Sequence, residues 1–414
     1  MSSLRDIGYD PASAIADLID NSIDANARRV DVRIESEGPD SWVRISDDGM
    51  GMSPAALDEA MRYGSAANYD TTSLGRFGLG MKTASLSQGR RLTVASRRGP
   101  DGRLAIRRWD LDDVIARDSW DLEHVPTRPA PTRLLEGLPD GGGTVVLWEN
   151  LDRLVPGRPT AGITDRALAR VAADAAQHCS MVFHRFLSGE AFSYRTELRI
   201  TVNGEPLLPW DPFVRDEPAT QALAARSLLA EGAEDLKLEV QPYVLPAQLT
   251  FSSPEAHRRA AGPNHWNRQQ GLYIYRRDRL IQSGGWNRLR TMDEHAKLAR
   301  IAVELPAGSE DRFSVDVAKM RVRIPEELRD QLRAIAASTV AVAQDSYRDA
   351  LADEPDEQPE LITADSDGIR ISRDWPAIMY VVDDVLRTHP ELRDRLLLAL
   401  ANADPGAVEV AASP

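Results

Sequence analysis

Apolar residues recur at helical spacing near the start of the chain. They repeat at intervals of three and four residues, as the buried stripe of an amphipathic helix does: Ile15, Leu18, Ile19 and Ile23. Asp10 is a suitable N-cap residue, and Pro11 fits the first helical turn. The pattern predicts a helix over residues 10–25, whose polar face carries Asp17 and Asn21 one turn apart.

The carboxylate and amide on this face have two interpretations. The Asp17 carboxylate is suited to orient and deprotonate a water, while the Asn21 amide oxygen is a ligand for a hard cation such as magnesium. A surface helix with a solvated acidic face, continued by Asp24, gives the same pattern. For this helix alone the solvated face is the simpler interpretation, and the motifs that follow favour the first.

Alternating apolar and polar residues follow the helix. Residues 30–34 and 42–46 alternate as half-buried strands do, and the turn at residues 38–40 predicts a hairpin between them. The hairpin ends in the sequence DDGMGM at residues 47–52, where glycines let the backbone turn tightly and approach a planar ligand. By itself, this motif is also typical of an ordinary acidic hairpin turn.

A glycine-rich segment, GRFGLGMKTAS, occupies residues 75–85. It opens a predicted helix, so it presents free backbone amides and a positive helix end to phosphate. The segment lacks the GK[ST] ending of a Walker A loop. It also does not follow a strand in a βαβ unit, which weakens a dinucleotide-binding interpretation.

In their order and spacing, the acid-and-amide helix, the DxGxG turn and the GxxGxG segment resemble the ATP site of the GHKL superfamily. That superfamily includes the DNA gyrase B subunit, MutL, the MORC proteins, the ninety-kilodalton heat-shock chaperones and the histidine kinases. The resemblance implies an α+β fold, with a GHKL (Bergerat) α/β sandwich that binds ATP and Mg²⁺. It extends over about residues 5–325 and is most specific in the first 85.

The resemblance assigns a role to each matching residue. Asn21 is the implied magnesium ligand, Asp47 the acceptor for the adenine amino group, and Lys82 a source of charge toward the phosphates. Thr144 belongs to a glycine-threonine pair that opens a late strand, which implies a place near adenine. The full set of implied nucleotide contacts is Asn21, Asp47, Gly49, Gly51, Met52, Gly75, Gly78, Leu79, Gly80, Lys82 and Thr144.

One position departs from the resemblance. Family members that hydrolyse ATP well have glutamate four residues before the asparagine, where this chain has Asp17. Aspartate keeps the implied general base but withdraws it by one methylene, roughly 1.5 Å, whereas a base must lie within about 3.2 Å of its water. We therefore expect either a helix that sits closer to the nucleotide or a slow turnover.

The second part of the chain resembles the transducer domain of MORC-like relatives. The resemblance rests on VNGEPLLPWDPF at residues 202–213 and GLYIYRRDRLI at residues 271–281. In RFSVDVAKMRV at residues 312–322, Lys319 matches the lysine that reaches the γ-phosphate and is a second implied catalytic residue. Residues 257–300 carry ten Lys or Arg against three acids, interleaved with aromatic residues. Such a region suits nucleic acid, and it equally describes an amphipathic sheet with a solvated face.

The expected organisation has six parts: a GHKL domain at 1–160, a connecting helix at 161–192, a transducer domain at 193–325, a helix at 326–352, an acidic linker at 353–372 and a C-terminal helical element at 373–414. Within the connecting helix, His178, Cys179 and His184 invite a metal interpretation. The two histidines fall on opposite helix faces, which favours packing instead.

Composition narrows the class of protein. The chain is 42% hydrophobic and 28% charged, which is typical of a globular protein, and it contains no apolar run of membrane-spanning length. The single cysteine excludes an internal disulfide, and no export segment precedes Asp10, so we expect a cytoplasmic protein without membrane contact. A net charge of −14 argues against coating nucleic acid with the whole surface but permits a local basic patch.

The resemblance predicts a magnesium-dependent ATPase that works as a conformational switch. ATP orders the glycine-rich lid, swings the second domain and promotes a homodimer, which serves a DNA-processing or defence-type partner. One alternative is a nucleotide-sensing adaptor that does not hydrolyse ATP. A protein chaperone is less favoured, because no client-binding middle domain fits in the remaining length.

Overall fold

The computed structural model describes residues 5, 9–62, 80–129, 131–155, 161–194, 197–230, 233–309, 312–313, 322–352, 362–365 and 368–371. The chain divides into two compact units, Met1–Ser346 and Tyr347–Pro414. Within the second unit, Ile362–Asp365 and Gly368–Ile371 pair as an antiparallel hairpin, inside the range predicted as a linker. None of the described helices combines the length and apolar character needed to cross a membrane.

The first sheet has eight strands among the described residues. In chain order they are β1 (Arg29–Glu35), β2 (Trp42–Asp47), β3 (Arg91–Arg97), β4 (Ala105–Asp110), β5 (Glu123–His124), β6 (Gly143–Glu149), β7 (Arg199–Val202) and β8 (Glu205–Pro206). Across the sheet the order is β5-β4-β3-β6-β2-β1-β7-β8, and every neighbouring pair is antiparallel except β1 with β7.

Seven helices accompany this sheet in the described part of the chain. They are α1 (Pro11–Asp24), α2 (Pro54–Met61), α3 (Gly80–Gln88), α4 (Leu111–Arg117), α5 (Thr132–Gly137), α6 (Ala161–Val182) and α7 (His184–Leu187). The predicted first helix is confirmed: the Asp10 side chain accepts from the Ser13 amide, and the apolar stripe is buried. Helix α1 packs between α3 and α6.

The second sheet contains β9 (Gln221–Ala222), β10 (Arg226–Ala230), β11 (Ala233–Val244), β12 (Gly271–Arg276), β13 (Arg279–Ser283) and β14 (Ala299–Glu304). Its order is β10-β11-β14-β12-β13, with β9 on the side of β11. The accompanying helices are α8 (Pro254–Ala260), α9 (His265–Gln269) and α10 (Glu326–Ala352), and short 3₁₀ turns lie at Gly38–Asp40, Gln248–Thr250 and Glu294–Ala296.

Asn203-Gly204, within the transducer-like motif, is the turn of a hairpin formed by β7 and β8, and this hairpin belongs to the first sheet. Its first arm, β7, pairs in parallel with β1, so that Ile200 and Val202 lie opposite Val30 and Val32. The alternation of residues 198–202 predicts a strand with one buried face and carries no information about its partner. The predicted boundary at residue 193 therefore stays a proposal, because the strand that follows it extends the first sheet.

One hydrophobic core joins the two sheets. Tyr273 and Tyr275 of β12 are completely buried and pack in the same core as Ile19 of α1 and Phe183 beside α6. The Phe213 ring stacks on Tyr243 at 4.5 Å between centroids, which extends this core toward β11. Side chains of α1 and of the second sheet therefore belong to one close-packed core.

Candidate functional site

Asp47, the last residue of β2, has an almost fully buried carboxylate that is 7% exposed. Ser22 Oγ donates a hydrogen bond to Oδ2 at 3.1 Å, and the Gly49 amide donates to Oδ1 at 2.9 Å. Burial raises the pKa of this carboxyl to about 6, although both hydrogen bonds favour the charged form. Such a group is a strong acceptor for a donor that a ligand brings into the site.

The glycines after Asp47 let two backbone segments approach each other. A Cβ on Gly49 would lie 2.8 Å from the Ala25 Cβ, so the turn packs directly against the end of α1. Gly51 has φ of +63°, and a Cβ there would lie 2.1 Å from the Arg97 carbonyl oxygen. The DxGxG turn is therefore packed closely against the end of α1 and against β3, directly after the Asp47 carboxylate.

Three neighbouring strands bring further polar groups to the level of Asp47. Thr144 of β6 is its register partner, and Ser96 of β3 lies opposite Thr144. The Ser96 and Thr144 hydroxyls share a hydrogen bond of 2.9 Å, and the Met52 amide donates to Ser96 Oγ at 2.8 Å. Thr144 and Met52, two predicted contact residues, therefore lie at the same end of the sheet as Asp47.

The polar face of α1 lies next to the start of α3. The Tyr9 hydroxyl donates to Asp17 Oδ2 at 2.8 Å, and Asp17 is 4% exposed. A Cβ on Gly80 would lie 3.7 Å from the same Asp17 oxygen, so the last glycine of the GxxGxG segment adjoins the implied general base. Asn21, one turn further on, is exposed.

The residue types suit a nucleotide with a hard cation. Among the described residues, no group of three His, Cys, Asp or Glu side chains is placed to hold a metal ion. A magnesium ion at this site would therefore combine the exposed Asn21 amide oxygen with oxygens of the ligand's own phosphates. The buried acceptor at Asp47 and the glycine turn, which has no side chains at residues 49 and 51, suit a planar base with an amino group.

Comparison with known proteins agrees with this geometry. A family profile described as "Histidine kinase-, DNA gyrase B-, and HSP90-like ATPase" matches residues 9–138. The chain is 26% identical over 234 residues to the ATPase morc-1 of Caenorhabditis elegans, covering 48% of this chain and 27% of that protein. It is 27% identical over 248 residues to the DNA mismatch repair protein MutL of Acidiphilium cryptum, covering 58% and 38%.

The amino-terminal part of the chain is a GHKL ATPase domain. The predicted α+β class is confirmed with it, since large antiparallel sheets combine with helices around the matched region. The chain aligns with well under half the length of these curated relatives. The family is one of ATPases, whereas the site roles assigned to single residues stay predictions.

Lys82 has a structural position in the GHKL domain that the sequence did not indicate. Its side chain is completely buried, and Nζ donates to the carbonyl oxygens of Ala60 at 3.0 Å and Arg62 at 2.6 Å. Burial lowers the pKa of this ammonium group to about 8. Lys82 thus ties α3 to the end of α2, and its contact with phosphate stays a prediction.

Some predicted residues lie outside the described residues. They are Gly75, Gly78 and Leu79 of the glycine-rich segment and Lys319 of the second domain. The predicted helix in residues 375–403 also lies there.

The metal interpretation of the connecting helix, by contrast, can be compared directly with contacts. His184 Nε2 hydrogen bonds to the Tyr275 hydroxyl at 2.9 Å, and Cys179 is buried, with burial raising its pKa to about 12.

Several basic and aromatic residues of the region 257–300 are part of the folded core. Three of its aromatic residues, Tyr273, Tyr275 and Trp286, are buried and cannot stack on bases. Arg300 is also buried and donates to the carbonyl oxygens of Pro212 and Ala260. The amphipathic-sheet interpretation therefore accounts for much of this region.

Four residues around the site were missed by the sequence analysis: Tyr9, Ser22, Ser96 and Asp20. Ser22 lies in the predicted first helix without an assigned role, and Ser96 lies outside the recognised motifs; only the folded chain brings them to Asp47 and Thr144. Asp20 carried a signal, because a charged residue bordering an apolar helical stripe requires a buried partner. That partner is Arg279, whose Nε donates to Asp20 Oδ1 at 3.0 Å.

The close approach at Gly51 is testable with a matched glycine. Gly38 has nearly the same φ, +62°, but a Cβ added there would have no neighbour within 4 Å. Gly38→Ala should cost about 1–2 kcal/mol, the strain of a left-handed alanine. Gly51→Ala should cost clearly more, because its Cβ also meets the Arg97 carbonyl. Urea unfolding of both variants measures the difference, and equal losses would contradict the packing described here.

Proposed function

We propose that the protein is a nucleotide-driven switch that binds ATP in the GHKL domain and hydrolyses it. The observation that carries the proposal is the buried Asp47 carboxylate, with Thr144 beside it and the glycine turn after it. This arrangement supports adenine binding, because the amino group of adenine can donate to Asp47 while the ring lies against the glycine turn. The family assignment supports ATP as the nucleotide.

The chemistry of hydrolysis is assigned to α1. Asp17 acts as the general base, and the Tyr9 hydroxyl orients its carboxylate through the hydrogen bond to Oδ2. Asn21 holds magnesium, which when bound would neutralise charge on the phosphates. Gly75, Gly78 and Gly80 wrap the phosphates as the lid, and Lys319 reaches the γ-phosphate. These last roles rest on the family resemblance.

The partners follow from the same resemblance. We propose that ATP promotes a homodimer and that the protein acts in the cytoplasm with DNA or a DNA-processing protein. The relatives named as mismatch repair proteins support the DNA connection. Light scattering with a non-hydrolysable ATP analogue tests the dimer: a doubled mass supports it, and a monomeric mass at saturating analogue contradicts it.

Removing the charge of Asp47 should weaken ATP binding. Asp47→Asn loses a hydrogen bond to a charged acceptor, worth about 1.5–3 kcal/mol, so the dissociation constant should rise by about ten-fold or more. Calorimetry at neutral pH measures it. Asp48→Asn is the matched control, because that carboxylate accepts from the Arg28 and Arg29 amides. Equal affinities of wild type and Asp47→Asn would overturn the assignment.

The same carboxyl predicts a pH dependence of binding. Its pKa is raised to about 6, so the acceptor is ionised above that pH and becomes protonated as the pH falls through it. A protonated carboxyl is a weaker acceptor for the adenine amino group than the carboxylate, so affinity should fall, by up to about ten-fold one pH unit below the pKa. The phosphates of ATP titrate in the same way with both proteins. Comparing the ATP affinities of wild type and Asp47→Asn at each pH therefore isolates the effect of the Asp47 carboxyl. A difference independent of pH would contradict this role.

Asp17 distinguishes the switch from the adaptor that binds ATP without hydrolysing it. If Asp17 is the general base, Asp17→Asn should slow single-turnover hydrolysis by about 10²–10⁴ without loss of ATP binding. Asp24→Asn, two turns further along α1, is the control and should have little effect. A wild type no faster than Asp17→Asn, with Asp17→Glu much faster than both, would instead favour the adaptor.

A further inference from the structure

A buried ion pair connects α1 with the second sheet. Arg279 Nε donates to Asp20 Oδ1 at 3.0 Å, and the two side chains are 5% and 0% exposed. Asp20 lies in α1, directly before Asn21, whereas Arg279 is the first residue of β13. The pair therefore joins the helix that carries the implied catalytic residues to the β12–β13 hairpin.

The guanidinium group is held by several contacts at once. It lies over the Phe183 ring at 4.6 Å from the centroid, and its Nη1 donates to the Leu280 carbonyl oxygen. These contacts fix the direction from which Arg279 reaches Asp20. Apolar pairs of similar volume often stabilise a core as well as a buried ion pair does, since burying two charges carries a large desolvation cost. The pair is therefore better explained by the geometry that it imposes than by stability.

Asp20 projects from a different side of α1 than the implied catalytic residues. A helix turns by roughly 100° per residue, so Asp20 points to one side of Asn21 and of Asp17. Through this contact Arg279 fastens that side of α1 to the start of β13.

A pocket open to solvent borders the pair. It has a volume of about 450 Å³ and is lined by Ser13 of α1, His178 of α6 and Gln282 of β13, as well as by Arg279 itself. The three elements therefore meet around this pocket beside the ion pair.

We propose that Asp20 and Arg279 are a positioning pair that couples nucleotide binding on α1 to the conformation of the β12–β13 hairpin. The proposal rests on the proposed ATP-binding function and deepens it. Neither residue is among the implied nucleotide contacts, so nucleotide affinity and coupling are separable. The pair determines how strongly nucleotide binding changes the conformation of the second sheet.

Hydrogen exchange of the hairpin, residues 271–283, tests this coupling with the full chain and a non-hydrolysable ATP analogue. In the wild type, the analogue should slow exchange in the hairpin by about five-fold or more, the range of a typical coupling. In the double variant Asp20→Asn/Arg279→Met, the analogue should bind within about three-fold of wild type but leave hairpin exchange unchanged. The double variant is used because each single variant would leave a buried charge unpaired.

The ion pair between Arg91 and Asp110 is the matched control. It joins β3 to β4 within the first sheet, with Arg91 Nε donating to Asp110 Oδ2 at 2.6 Å. Arg91→Met/Asp110→Asn should keep the effect of the analogue on hairpin exchange. A wild type that does not bind the analogue would overturn the proposed function itself. Binding without a response in the wild-type hairpin, or a response that persists in the Asp20/Arg279 double variant, would overturn the coupling alone.

Discussion

The burial of one carboxylate organises the GHKL domain. Asp47 loses most of its hydration at the end of β2, and the fold compensates with donors from Ser22 of α1 and from the Gly49 amide. These contacts bind the end of the first helix to the end of the sheet. Because the compensation is partial, the pKa of the carboxyl stays raised, and an additional donor from a ligand is favourable. The same imbalance that costs stability supports the proposed contact with adenine.

The central part of the fold followed from local patterns. The stripe of α1 and the β1–β2 hairpin each have a clear period, and each forms where the period predicts it. The DxGxG turn was recognisable because Gly51 adopts a conformation that other residues rarely adopt and lies against the Arg97 carbonyl. In these places a short stretch of sequence contains the whole physical reason for the structure.

Contacts between distant segments were not predictable in the same way. The parallel pairing of β7 with β1 depends on which sheet edge is open to pairing, and alternation alone does not contain that information. Lys82 was assigned to phosphate from its motif, yet its ammonium group donates to carbonyl oxygens of residues at the end of α2. Asp20 needed a partner, but only the folded chain identifies Arg279 from the second sheet.

Recognition of adenine by Asp47 is the central claim, and a comparison of ATP with GTP tests it most directly. Guanine carries a carbonyl oxygen where adenine carries its amino group, so it would place an acceptor against the Asp47 carboxylate. Sites built around one hydrogen bond strongly reject an analogue that lacks it, so ATP should compete for the site at least about a hundred-fold better than GTP. Equal competition by the two nucleotides against a labelled ATP analogue would contradict the account.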